Sequence, residues 1–164
     1  VPRGDRYRRR ARGSGRSIVA MIGTRSGPSE GYGQPVWFLC YDPAMNVDLR
    51  KVDDVVIVDF NGSLTLGTGD ELLGQVINQL LAEDYRKILL DLTDVDFIDS
   101  SGLGELVQSL KVSKRFGASL RLLRPQDRVR KTLNLTRILP MFPIYESEEE
   151  ALQSFDEAEA DSAE

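Results

Sequence analysis

The strongest constraint on how this chain can fold is a change of hydrophobic period within one short stretch. Ile88-Leu89-Leu90-Asp91-Leu92 is a compact apolar run of the kind that forms a buried strand. Further on, Leu103, Leu106, Val107 and Leu110 recur at helical spacing. Between the two lies Asp96-Phe97-Ile98-Asp99-Ser100-Ser101-Gly102, read as a loop carrying two adjacent serines. A strand that empties through a loop into an amphipathic helix commits the chain to a layered α/β arrangement.

The flanking pattern extends that arrangement. Val47 and Leu49 alternate with polar residues, Asp53-Asp54 makes a turn, and Val55 to Phe60 is a β-branched run. Two strands this close form an antiparallel hairpin. Asn61 to Gly69 reads as a loop, followed by a helix with Leu72, Leu73, Val76, Ile77, Leu80 and Leu81 on one face. Thr68 and Glu71 have capping-box spacing. The strand Lys87–Leu92 comes next, then the serine loop and a helix from about Ser101 to Phe116, with Gly117 as its C′ residue. Ser119 to Leu123 is a further strand, and Asp127 caps a helix carrying Val129 and Leu133. Pro140 and Pro143 exclude further helix, Ile144-Tyr145 is a short edge strand, and Ser147 with Glu150 opens a last short helix burying Leu152 and Phe155. A strand, crossover helix and strand in succession form a parallel pair. The expected fold is a single α/β domain over 45–155, with a mixed, mostly parallel sheet of four to five strands and about four helices against it.

The ends of the chain differ from this middle. Residues 1–44 hold eight Arg and three acidic residues among Gly, Ser and Pro, with no sustained period, and are expected to be disordered. They form either a basic arm or a mis-assigned start, with translation beginning at Met45. The second is preferred because regular alternation begins right after Met45 and a leading Val fits a translated GTG codon. Trp37, Phe38 and Leu39 form an isolated apolar patch. Residues 146–164 hold nine acidic residues and no basic one, and from Asp156 to 164 an acidic tail is expected to fray. Between these ends the charge is near balance, so no direct nucleic-acid partner is expected. No apolar run is long enough for a membrane span, no signal peptide is recognisable, and the single Cys40 cannot form an internal disulfide, which together favour a cytoplasmic setting.

The chain contains no histidine. That removes the Ser-His-Asp and Cys-His triads and histidine as general base. Gly62 and Gly67 match the first part of a phosphate-binding loop, but Thr68-Gly69 stands where Lys-Ser/Thr is required. Asp94, Asp96 and Asp99 lack calcium-loop spacing. No metal, cofactor or catalytic residue is therefore expected. Arg124, Arg128, Arg130, Lys131 and Arg137 read as a solvated helix face. What remains is a hydroxyl, on Ser100 or Ser101, at a strand's carboxyl end and a helix N-terminus. A phosphate there meets the positive end of the helix dipole and changes a partner surface by a charge of about −2.

The residues Asp96-Phe97-Ile98-Asp99-Ser100-Ser101-Gly102-Leu103-Gly104, after an apolar strand and before an amphipathic helix, resemble the signature of STAS domains, specifically the bacterial anti-sigma factor antagonists. The resemblance extends from about Asn46 to Phe155. It implies a protein that binds an anti-sigma factor, often a serine kinase, and so releases sigma. Phosphorylation of the serine directly after the Asp breaks that complex, and a PP2C-type phosphatase restores it. By position that serine is Ser100, with Ser101 the secondary candidate; Asp99, Ser100, Ser101, Gly102 and Leu103 form the implied partner surface. The family also includes non-switching adaptors of membrane-lipid transport and signalling complexes.

Overall fold

The computed structural model describes residues 45–162. The expectations for residues 1–44, Cys40 and the Trp37-Phe38-Leu39 patch included, lie outside it.

Five strands form one sheet in the order β1 (Met45–Val52), β2 (Val55–Leu64), β3 (Lys87–Ile98), β4 (Ser119–Leu123) and β5 (Ile144–Tyr145). The β1–β2 hairpin is antiparallel, turning at Asp53-Asp54, and the other three pairings are parallel. The crossovers are α1 (Gly69–Ala82), α2 (Ser100–Arg115) and α3 (Asp127–Leu135), and the chain closes with α4 (Glu148–Ser162). This is the expected α/β class, with the mixed sheet and, among the described residues, four α-helices in the expected order.

Alternation along the strands divides the sheet into two unequal faces. Val56, Val58, Phe60, Ile88, Leu90, Leu92, Leu120 and Leu122 point to one side, where they meet Leu73, Val76, Ile77 and Leu80 of α1, Leu103, Leu106 and Leu110 of α2, and Val129 and Leu133 of α3. This is the main core. On the other side a smaller cluster of Val55, Ile57, Leu89 and Leu123 packs under Ala151 and Phe155 of α4. That second face also carries charge. Arg50 donates to Asp59 at 2.9 Å and to both carboxylate oxygens of Glu148 at 2.6 and 2.7 Å, and lies 3.5 Å from Asp91. Burial disfavours the charge on Arg50, but Glu148 and Asp59 outweigh it and hold the guanidinium above its ordinary value.

Several element boundaries depart from expectation, each for a local reason. β2 continues through Asn61–Leu64 and β3 through Thr93–Ile98, where a loop was expected in both. The two extensions pair with each other, Asn61 with Asp94 and Leu64 with Ile98, across register shifts at Asp59/Asn61 and Gly62/Ser63. Such bulges break the two-residue alternation by which strands are recognised. Thr68 stands at the N-cap of α1 without a side-chain bond; Asp70 instead accepts from the N–H groups of Gly67 and Glu71, at 2.9 and 2.8 Å. Asp127 is the first residue of α3 rather than its cap, which is Gln126. Leu139–Met141 forms a single 3₁₀ turn around Pro140, which tolerates proline in its first positions. α4 is not short: it continues past Asp156 to Ser162, and its buried residues are Ala151 and Phe155, with Leu152 only half-buried. Among the described residues, no helix is long and apolar enough to cross a membrane.

Candidate functional site

The expected loop between β3 and α2 is a single residue. β3 ends at Ile98, α2 begins at Ser100, and Asp99 between them is the N-cap in extended conformation. Aspartate suits this position because its carboxylate can accept from the orphan N–H groups of the first turn. Asp99 Oδ1 accepts from the Gly102 N–H at 2.9 Å. Its second oxygen, Oδ2, accepts from the Leu66 N–H at 3.0 Å, and its own N–H donates to the Leu64 carbonyl at 3.2 Å. One residue thus ties the start of α2 to the segment that follows β2. The Gly102 and Leu66 amides hold the Asp99 carboxyl below the usual carboxylate range, so it remains ionised at neutral pH.

Ser100 is the first residue of α2. It is exposed, and its hydroxyl makes no hydrogen bond to any described residue. A serine at the cap itself would have its oxygen engaged by the helix; Asp99 takes that role and leaves the Ser100 hydroxyl free. Ser101 is half-buried, and no acidic residue stands in the first turn.

Gly102 and Leu103, expected at the partner surface, are buried instead. The helix turns both toward the sheet. A Cβ at Gly102 would lie 2.2 Å from the Leu64 carbonyl oxygen and 2.9 Å from Ile98 Cγ1, so only glycine lets α2 approach β2 this closely. Leu103 is 7% exposed and belongs to the main core. Gly104 differs: it is exposed, and a Cβ there would meet nothing within 4 Å.

Two side chains near this surface carry no pattern in the sequence. Leu66 is 75% exposed and Phe97 44% exposed. The Leu66 N–H donates to Asp99, the residue before Ser100, whereas Phe97 alternates with buried Ile98 and so faces away from α2. The available signal was an aliphatic residue in the segment Thr65-Leu66-Gly67 that served neither a strand nor a helix face.

Several of the other candidates make internal contacts. Gly69 packs against the backbone of Ser63 and Leu64, where a Cβ would lie 2.5 Å from the Ser63 carbonyl oxygen, so it closes the β2–α1 connection. Asp96 accepts from the Ser63 hydroxyl at 2.8 Å. Among the described residues no group of His, Cys, Asp and Glu is placed to hold a metal ion. Of the basic cluster, Arg130 pairs with Glu146 and Arg124 lies 3.6 Å from Asp91, while Arg128, Lys131 and Arg137 are exposed without an ion pair among the described residues.

The fold and this loop define a class. Residues 46–151 match the family model of the STAS domain, and the chain belongs to that family. Among curated proteins, it is 36% identical over 104 residues to a Thermotoga neapolitana protein assigned as an anti-sigma factor antagonist, covering 63% of this chain and 92% of that one. It is 27% identical over 109 residues to the anti-sigma-B factor antagonist of Bacillus subtilis, covering 66% and 98% of the two chains. Among solved structures, the crystal structure of a Thermotoga maritima protein assigned to the same class superposes with a TM-score of 0.62 at 33% identity, covering 66% of this chain and 92% of the other. The chain is thus a STAS-domain protein of the anti-sigma factor antagonist group, a non-enzymatic regulator.

Proposed function

We propose that this protein binds an anti-sigma factor through the surface around Ser100 and releases it when Ser100 is phosphorylated, so controlling a sigma factor in the cytoplasm. The observation that carries this reading is the division of labour at the start of α2. Asp99 caps the helix, and the adjacent Ser100 hydroxyl is left exposed and unengaged. A kinase can therefore modify Ser100 without dismantling the cap.

The consequence of the phosphate follows from charge. It adds about −2 beside a carboxylate already held ionised. Oδ1 of that carboxylate already accepts from the Gly102 N–H, so the cap does not depend on the Ser100 hydroxyl. The unmodified surface offers exposed Leu66, tied to Asp99, and a neutral hydroxyl. A partner that packs on this surface would have to desolvate the phosphate as well. A loss of about 3 kcal/mol weakens binding more than a hundredfold. The kinase is the anti-sigma factor itself or its associate, and a PP2C-type phosphatase resets the switch. Ser101 is the secondary acceptor, disfavoured by its partial burial.

Pull-down from native extract with wild-type, Ser100→Ala and Ser100→Asp baits tests this. Wild type and Ser100→Ala should both retain the anti-sigma factor, and Ser100→Asp should lose it. Retention by all three baits would end the switch. Co-purification of transporter subunits regardless of Ser100 would instead favour a non-switching adaptor.

A further inference from the structure

α4 is attached to the sheet in a different way from the other helices. Only Ala151 and Phe155 of this helix are fully buried, against Val55, Ile57, Leu89 and Leu123. Half-buried Leu152 adds an apolar contact, and much of the remaining attachment is polar. Three cations on the face beneath it, Arg50 on β1, Lys87 on β3 and Arg121 on β4, are each less than a tenth exposed. Arg50 forks onto Glu148 at the helix start. Lys87 lies 3.0 Å from Glu159 and 3.8 Å from Asp156, besides its pair with Asp54 at 2.6 Å. The Arg121 guanidinium lies over the Phe155 ring, 4.1 Å from its centroid, and donates to the Ser154 hydroxyl.

The helix does little to hold itself. It carries acidic Glu148, Glu149, Glu150, Asp156, Glu157, Glu159 and Asp161 and no basic residue. Like charges at helical spacing repel, and the later carboxylates oppose the dipole. The sheet cations relieve both costs. None of the groups that position Ser100, namely Asp99, Leu66, Leu64 and Gly102, belongs to α4.

We propose that α4 is an ion-latched strap that opens from the sheet as a unit, exposing an apolar seat ringed by Arg50, Lys87 and Arg121, while the sheet and the Ser100 site stay folded. Salt separates this from ordinary packing. At about 1 M salt the screening length falls to about 3 Å, which weakens the Lys87 pairs, whose Asp156 and Glu159 carboxylates are largely exposed, whereas apolar burial does not weaken.

Hydrogen exchange followed by mass spectrometry on the full chain, at about 0.05 M and about 1 M sodium chloride, tests the proposal. Peptides covering α4 should exchange about tenfold faster at high salt, while peptides of β3 and α2 keep their rates. The double variant Glu148→Gln/Glu159→Gln should already exchange fast at low salt and lose the salt response. The proposal is overturned if α4 keeps salt-independent protection, if the double variant exchanges like wild type, or if β3 and α2 accelerate together with α4.

Discussion

Gly102 and Gly104 stand two residues apart in one helix and have opposite meanings. At Gly102 a methyl group would collide with the Leu64 carbonyl, a backbone atom that cannot swing away. Gly102→Ala should cost about 1–3 kcal/mol, as overpacking does. At Gly104 the space is open, so Gly104→Ala should stabilise the protein by up to about 1 kcal/mol through helix propensity. Urea denaturation of the two variants reads both; equal effects would mean that α2 does not sit on β2 as described. Asp59 makes a second residue-scale case. Burial, with Asp91 alongside, pushes its carboxyl up to about 6 in spite of Arg50. Because the folded value lies above the unfolded one, folding takes up a proton between about pH 4 and pH 6. The stability this group contributes is present below that range and lost as the pH rises through 6. Wild type should therefore lose about 1–2 kcal/mol relative to Asp59→Asn between about pH 4 and pH 7, a figure reduced for solvent screening. A difference that stays flat with pH would contradict the placement of Asp59 beside Asp91. Neither case is visible in a linear sequence. Nothing near Gly102 says that a carbonyl from a distant strand approaches it, and Asp59 and Asp91 become neighbours only through sheet register.

Elements were legible where their period is clean. The hairpin across Asp53-Asp54, the strand Ser119–Leu123 and the apolar face of α1 follow from alternation or helical spacing alone. The ends of β2 and β3 did not, because two bulges interrupt their alternation and Asp94 and Asp96 look like loop residues. That error mattered for the site. It makes the Ser100 connection read as a loop, whereas a single residue joins β3 to α2. Caps were also harder to read than periods. Thr68, Asp127 and the serines all have capping chemistry, yet the work falls to Asp70 beside Thr68 and to Asp99 beside Ser100. The length of α4 was missed because its carboxylates read as a tail; the cations that stabilise it lie on β1 and β3, far away in sequence.

At the scale of the whole molecule the two faces of the sheet serve different ends. The larger core fixes α2, and with it Ser100, at the carboxyl end of β3. The smaller face holds an acidic helix through a small apolar cluster and a few ion pairs. The cap at Asp99 leaves the Ser100 hydroxyl exposed, and the proposed switch acts there. Phosphate mapping combined with binding is the most direct test of that central claim. The chain is incubated with ATP and the anti-sigma factor kinase it captures, the phosphate is located by tandem mass spectrometry, and the affinity of the modified chain for that kinase is measured. One phosphate on Ser100 and binding weakened at least about a hundredfold are expected. A phosphate placed elsewhere, or a Ser100-phosphorylated chain that binds as tightly as the unmodified one, would contradict it.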